Sequence, residues 1–272
     1  FTIDNHNISI ISTKQKMKKL LYLFSAVALT LTSCSSEDDS NNNSSDVTLI
    51  KKIILTSDDE EADSYWNNTI IFTYNGTKLV ESREDDNYKT VYTYTGDLIT
   101  KIEYFDGTVL DEYDLFSYNS SGKLIEYRSI GNDFEEKFTY TYNSDGTVSV
   151  NEYQGTIGSP TLVPSSPYTY TFTNNELTAD DDSIFVYEDK NNPFMNVTGF
   201  KELMLPEFAD DYMIAFGRNK MMTSTYDESN TSEGIFATHT YNSSNFPTSS
   251  VINANFTLGS FIGTVNVQYF YN

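Results

Sequence analysis

Chemistry in this chain would have to come from carboxylates, because other reactive side chains are scarce. Asp111, Glu112 and Asp114 lie within four positions, and Glu84, Asp85 and Asp86 form a second cluster. Two carboxylates at a set separation suffice for glycoside hydrolysis. In a chain with 39 acidic residues such clusters also arise as solvated loops and strand faces. Asp180, Asp181 and Asp182 offer oxygen ligands of the kind Ca²⁺ takes, but without the spacing of an EF-hand loop. Cys34 is the one cysteine, and His6 and His239 are the two histidines. A cysteine zinc site, a multi-histidine zinc site and a disulfide are excluded on that count. Any Ser-His nucleophile would depend on His239, which sits in the strand-like run Ala237-Thr238-His239-Thr240-Tyr241. No P-loop, GxGxxG or GxSxG motif is present, so no cofactor is expected.

Aromatic residues make up 15% of the chain. Tyr65 and Trp66, beside Asn67 and Asn68, are the candidate ligand-binding pair for stacking on a sugar. The plainer reading is that the aromatic ladder is core and cross-strand packing.

The segment Met17 to Cys34 reads as an export signal. Lys18 and Lys19 form a basic start, Leu20 to Leu31 an apolar run too short to span a bilayer, and small residues precede Cys34. Leu31-Thr32-Ser33-Cys34 resembles the lipobox of bacterial lipoproteins, which implies that Cys34 is lipidated and becomes the first mature residue. The alternative, a secretory signal with a chance cysteine, leaves a free thiol in an exported protein. Residues 1–16 are read as upstream translation and 17–33 as the signal peptide. Residues 34–46 are the lipidated, disordered acidic tether, and 47–272 a single β domain.

Discounting residues 1–33, with Lys14, Lys16, Lys18 and Lys19 against Asp4, takes the formal charge from −22 to about −25. Such a field repels nucleic acid and anionic lipid. Ser35 to Asp46 has no residue to bury, and as a coil spans roughly 20 Å. Its acidic cluster Glu37, Asp38, Asp39 is similar to the signal that sends lipoproteins of the Bacteroidota to the outer face of the outer membrane. A periplasm-facing anchor is the alternative.

Beyond residue 47 an internal repeat sets the fold class. Ile71-Phe72-Thr73-Tyr74-Asn75-Gly76 is echoed by Val91 to Gly96, Phe116 to Gly122, Phe138 to Gly146 and a degenerate copy at Tyr168 to Asn175. Aromatic and threonine positions alternate, as in a strand, and Asn with Gly supplies a tight turn before each return strand. The expectation is all-β: a long twisted antiparallel meander of repeated hairpins, about 12 to 14 strands. The segment at about 195–222 holds Met195, Met204, Met213, Met221 and Met222 and is expected as a short, partly helical insertion packed against the sheet.

The Tyr-Asn-x-x-Gly-x-Leu unit resembles the YD repeat of Rhs and teneurin shells. It is more similar still to YD-like lipoproteins of the Bacteroidota carrying a domain of unknown function. The resemblance covers residues 48–272, implies no catalytic residue, and leaves too few repeats to enclose a cargo. Asp182-Ser183-Ile184 resembles the O-glycosylation motif of exported Bacteroidota proteins, which marks Ser183. The functional expectation is a monomeric, non-catalytic envelope module binding a glycan or protein. The alternative is a carboxylate-dependent surface hydrolase.

Overall fold

The computed structural model describes residues 47–57, 67–84, 87–131, 133–205, 215–255 and 263–272. Its strands are β1 (Ile50–Ser57), β2 (Asn68–Asn75), β3 (Lys78–Arg83), β4 (Tyr88–Thr95), β5 (Leu98–Asp106) and β6 (Val109–Tyr118). Then follow β7 (Leu124–Gly131), β8 (Phe134–Tyr142), β9 (Val148–Thr156), β10 (Thr161–Leu162), β11 (Tyr168–Thr173) and β12 (Glu176–Ala179). The last five are β13 (Ser183–Asn191), β14 (Lys220–Asp227), β15 (Gly234–Tyr241), β16 (Pro247–Asn255) and β17 (Gly263–Tyr271).

Each hairpin follows the local chemistry of its sequence. Between β11 and β12 the two turn residues Asn174 and Asn175 both take positive φ, 53° and 68°, as a tight hairpin turn that suits the strand twist requires. Longer turns open on an asparagine whose side chain imitates backbone. Asn119 Oδ1 accepts from the N–H of Ser121 and Lys123 at 3.0 and 3.1 Å, and Asn242 Oδ1 accepts from Ser244 and Phe246, both at 3.0 Å. The repeat tyrosines have a structural role. Tyr118 donates its hydroxyl to the carbonyl of Ile99 at 2.6 Å, and Tyr142 to that of Leu124 at 2.9 Å, so each ties its strand to the hairpin before it.

The hairpins do not form the expected open meander. β1 pairs with β2, Ile53 opposite Ile70, and on its other side with β17, Ile53 opposite Tyr269. The sheet therefore closes into an antiparallel barrel with sixteen of its seventeen strands around the ring. The two-residue β10 adds to one half of β9, while β11 takes the other half, Val150 opposite Tyr168. Closure removes both sheet edges, which an open meander would leave to pair with other chains. This also overturns the resemblance to YD-repeat proteins of the Rhs kind, because the repeated unit is a barrel hairpin.

The expected helical insertion is corrected too. Its described part is a run of turns with a single 3₁₀ turn at Phe200–Leu203. Asn192 starts it by accepting from the Phe194 N–H at 2.6 Å, and Gly199, at φ 76°, bends it beneath the β4–β5 turn. Residues 206–214 lie outside the described residues.

This segment plugs the turn end of the barrel. Phe194 meets Phe72 edge-on at 5.2 Å and stacks on Phe200 at 4.4 Å, while Leu203, Met204 and Phe216 complete a core shared with Ile53, Tyr92, Ile102, Phe138, Val150 and Val267. It is fastened around the rim, by Thr198 N–H to the Thr77 carbonyl at 3.0 Å, Asn196 Nδ2 to the Thr48 carbonyl at 2.9 Å and Asn191 N–H to the Asn245 carbonyl at 3.0 Å. At the opposite end the inward side chains turn polar: Asp114 accepts from Tyr104 at 2.8 Å, Glu112 from Ser129, and Glu152 from Gln154 at 2.5 Å.

The polarity of the wall is the reverse of a membrane-spanning barrel, which turns an apolar band to lipid and a polar lining to its lumen. Here the inward positions Phe72, Tyr92, Phe116, Tyr140, Ile252 and Val267 are buried apolar core. Outward positions include Thr93 and Thr95 on β4, Thr238 and Thr240 on β15, Asn253 and Asn255 on β16, and Asn266 and Gln268 on β17, among scattered exposed apolar residues such as Ile71, Val251 and Phe270.

Candidate functional site

A cleft of about 350 Å³ opens at the plugged end, where the β11–β12 hairpin parts from β13. β12 and β13 share a single residue pair, Ala179 with Ile184, so the wall splays there and the plug's exit, Gly217 to Asn219, fills part of the seam. Lys123 reaches in from the β6–β7 turn, Tyr142 and Val148 from the β8–β9 hairpin, Phe172 and Asn175 from β11 and its turn, and Lys201, Glu202 and Arg218 from the plug.

Its electrostatics oppose those of the chain as a whole. Arg218 is fixed by three contacts: Nη2 donates to Glu202 Oε2 at 2.7 Å, Nε donates to the Lys201 carbonyl at 3.0 Å, and the guanidinium lies 5.7 Å from the Phe172 ring centre. Lys123 Nζ stands 4.5 Å over the Tyr142 ring. Lys201 is held only loosely, 3.9 Å from Glu202, with its side chain 61% exposed. Three cations thus face one carboxylate in a protein of formal charge −22.

Beneath the cleft Glu176 is buried, accepting from the Asn219 N–H at 3.0 Å and its Nδ2 at 2.8 Å. Burial pushes its carboxyl up, against the pull of those hydrogen bonds. Glu176 positions Asn219 and Arg218 and does not line the cleft itself. The arrangement can hold an anion against cations and ring edges. It contains no nucleophile set against a base.

Among the described residues one serine–histidine contact occurs, in the wall. His239 Nε2 faces the Met222 carbonyl at 2.9 Å, which can only accept, so Nε2 carries the proton and Nδ1 accepts from Ser250 Oγ at 2.6 Å. Ser250 also meets the Tyr269 hydroxyl at 3.1 Å and is 2% exposed. Burial lowers the His239 pKa. The pair bridges β14, β15 and β16, with Ser250 buried and His239 half-buried.

The fold splits the carboxylate clusters only in part, keeping Glu112 and Asp114 on one inward face of β6. Asp111 is exposed while Glu112 and Asp114 face the lumen in the hydrogen bonds above. Glu84 accepts from Asn68 at 2.5 Å; Asp85 and Asp86 lie outside the described residues. Asp180 closes a turn by accepting from the N–H of Asp182 and Ser183 at 3.0 and 2.6 Å, and Asp181 accepts from the Thr169 N–H at 3.1 Å. No group of three or more potential metal ligands occurs among the described residues. Ser183 begins β13, half-buried, and Cys34, Tyr65 and Trp66 lie outside the described residues.

The residues that build the cleft were not picked out from sequence. The signal available was the scarcity of basic residues, 17 in all, against which Lys201 and Arg218 flanking one non-repeat segment stand out.

No protein-family model and no curated protein matches the chain. Among solved structures it resembles a porin-like protein from Bacteroides vulgatus ATCC 8482, at 14% identity and a TM-score of 0.50, over 83% of this chain and 99% of that one. A porin-like protein from Bacteroides uniformis ATCC 8492 aligns at 16% identity and a TM-score of 0.39, over 82% and 96%. At these identities the first likeness carries the barrel fold alone.

Proposed function

We propose that this chain is a non-catalytic binding module of the outer membrane, a water-facing barrel tethered by an acyl group on Cys34, which seats the acidic part of a glycan in the Lys123–Lys201–Arg218 cleft. One observation carries the reading: the barrel is apolar inside, plugged at its turn end and polar outside. Such a body is suited to stand in water on a tether, and a conducting pore needs the opposite polarity. The porin-like description of the Bacteroides vulgatus protein is consistent with an envelope location. The exposed Lys201 supplies charge, and Tyr142 and Phe172 in the lining supply apolar contact, for a carboxylated sugar.

Two measurements test this. The acylated chain reconstituted in planar bilayers is expected to give no conductance above the lipid background; discrete channel steps would overturn the water-facing reading. On an array of acidic and neutral oligosaccharides, binding should favour uronic-acid chains, weaken with salt, and fall about tenfold in Lys123→Ala/Lys201→Ala. Equal binding of neutral sugars, or an unaffected double variant, would remove the cleft from the function.

A further inference from the structure

Three neighbouring hairpin tips at the end of the barrel opposite the plug carry apolar side chains into water. Val109 and Leu110 belong to the β5–β6 tip, Phe134 to the β7–β8 tip, and Ile157 and Leu162 to the β9–β10 hairpin; each is between 43% and 67% exposed. Strand pairing sets them on one arc of the rim, because Glu112 lies opposite Gly131, Gly131 opposite Phe134, and Phe134 opposite Thr156, next to Ile157. Turns ordinarily take polar residues, and none of these five belongs to the core. Together they expose on the order of 400 Å² of apolar surface, the size of an interaction patch.

The charge around them is of one sign. Residues 104–112, 131–136 and 153–162 hold six carboxylates and no lysine or arginine. Asp106, Asp111 and Asp133 are exposed beside the apolar side chains, and Glu112 and Glu136 stand just inside the mouth, on either side of Ser129. Cations on the neighbouring wall are engaged: Lys89 lies over the Phe105 ring at 4.4 Å, Lys137 over Tyr153 at 4.2 Å, and Arg128 holds Glu135 at 2.8 Å.

We propose that this end of the barrel docks a basic amphipathic segment of a partner protein, its apolar side chains against Val109, Phe134 and Ile157 and its Lys or Arg side chains against Asp106, Asp111 and Asp133. Charge complementarity selects this occupant. Segments that settle on a bilayer flank their apolar residues with lysine and arginine, whereas carboxylates are repelled by anionic headgroups. A second copy would set the same carboxylates against one another. The chain also enters the barrel at the other end, where Asn272 Nδ2 donates to the Val47 carbonyl at 3.0 Å. Four strand spacings of ~4.8 Å separate the outermost tips, or roughly 20 Å, the length of a helix of about thirteen residues. This inference is independent of the cleft and its ligand.

Fluorescence anisotropy on the full chain, with labelled helical peptides of about fourteen residues, tests it. A Leu–Lys amphipathic peptide should bind at least tenfold more tightly than a Ser–Lys peptide of equal charge, and its binding should weaken as salt rises. Val109→Ser/Phe134→Ser/Ile157→Ser should weaken the Leu–Lys peptide about tenfold. Asp106→Asn/Asp111→Asn/Asp133→Asn should do the same and flatten the salt dependence. Ile71→Ser/Val251→Ser, at apolar positions exposed elsewhere on the wall, should leave binding unchanged. All of these positions are exposed, so each variant should keep the circular dichroism of the parent. Equal binding of the Ser–Lys peptide, or an apolar triple variant that binds like the parent, overturns the proposal. So does a dimer in sedimentation that the apolar triple variant abolishes, which would put a second copy on the tips. A polarity-sensitive dye on Ile157→Cys that shifts to the blue with phosphatidylethanolamine–phosphatidylglycerol vesicles alone, beyond the background of the labelled parent, overturns it too, by placing lipid there.

Discussion

Ile53 in β1 lies opposite Tyr269 in β17, and both are buried, 0% and 4% exposed. This pair, with Leu55 opposite Val267 beside it, is where the sheet meets itself. Its inward residues join the plug's core and its outward neighbours meet water.

That alternation predicts opposite outcomes for adjacent substitutions in β17. Val267→Asp, at a position 1% exposed, should lower stability by about 4 kcal/mol or more, since it places an unpaired carboxylate in the core. Gln268→Asp, one residue on and exposed, should change it by no more than about 0.5 kcal/mol. Urea unfolding followed by tryptophan and tyrosine fluorescence reads both; similar losses would mean that the wall polarity is misassigned.

The plug has a sensitive point at Gly199. Its φ is 76°, and an added Cβ would lie 2.6 Å from the Asp97 carbonyl oxygen, which belongs to the β4–β5 turn. Gly199→Ala is expected to cost about 2–3 kcal/mol, combining left-handed backbone strain with displacement of the plug. Gly146→Ala, at φ 93° with open space around it, should cost only about 1 kcal/mol. Thermal melts compare them, and equal losses would remove the plug contact from the explanation.

His239 makes folding sensitive to mild acid. Burial holds its pKa below the ordinary 6.5, so the unfolded chain binds the proton first as pH falls. Stability should therefore decline from about pH 6.5 downward until the folded-state pKa is reached. Glu176, Glu152 and Asp180, whose carboxyls burial raises, pull the other way between the ordinary carboxylate range and their own values. The measurement is accordingly a difference: the urea midpoint of the parent minus that of His239→Gln, at pH 8 and pH 5.5. The gap should shrink or reverse on acidification, and a constant gap would count against a buried neutral histidine.

Arg128 and Glu135 supply a pH signature of the same sign in a more acidic window. Glu135 is 1% exposed, accepts from Arg128 Nε at 2.8 Å and from the Gly158 N–H at 2.7 Å, and the Arg128 hydrogen bond is the main reason its carboxyl titrates below the usual range. The stabilisation is present above the unfolded value near 4.5 and is lost as pH falls through the lower folded one. Arg128→Met should cost about 2–3 kcal/mol at pH 7 and clearly less at pH 3. A cost independent of pH would point to lost packing instead.

The sequence by itself determined the hairpins. Alternating aromatic and threonine residues, with Asn and Gly at the turns, are local signals, and β2 through β9 and β11 follow them within the repeat units where they were read. The Met-containing segment does not form the expected partly helical insertion: its described part is turns that bury Phe200 and Met204, and Met221 lies in β14. Closure was not legible, because pairing Ile53 with Tyr269 is a contact between residues more than two hundred positions apart, and identical hairpins serve an open sheet or a ring. Nor was the cleft. Lys123 comes from the β6–β7 turn, Phe172 from β11 and Lys201 and Arg218 from the plug, and they meet beside the splayed seam between β12 and β13. Which face of each strand is inside was settled by the same closure: a ring has one interior, and the repeat's aromatic residues and the plug fill it together.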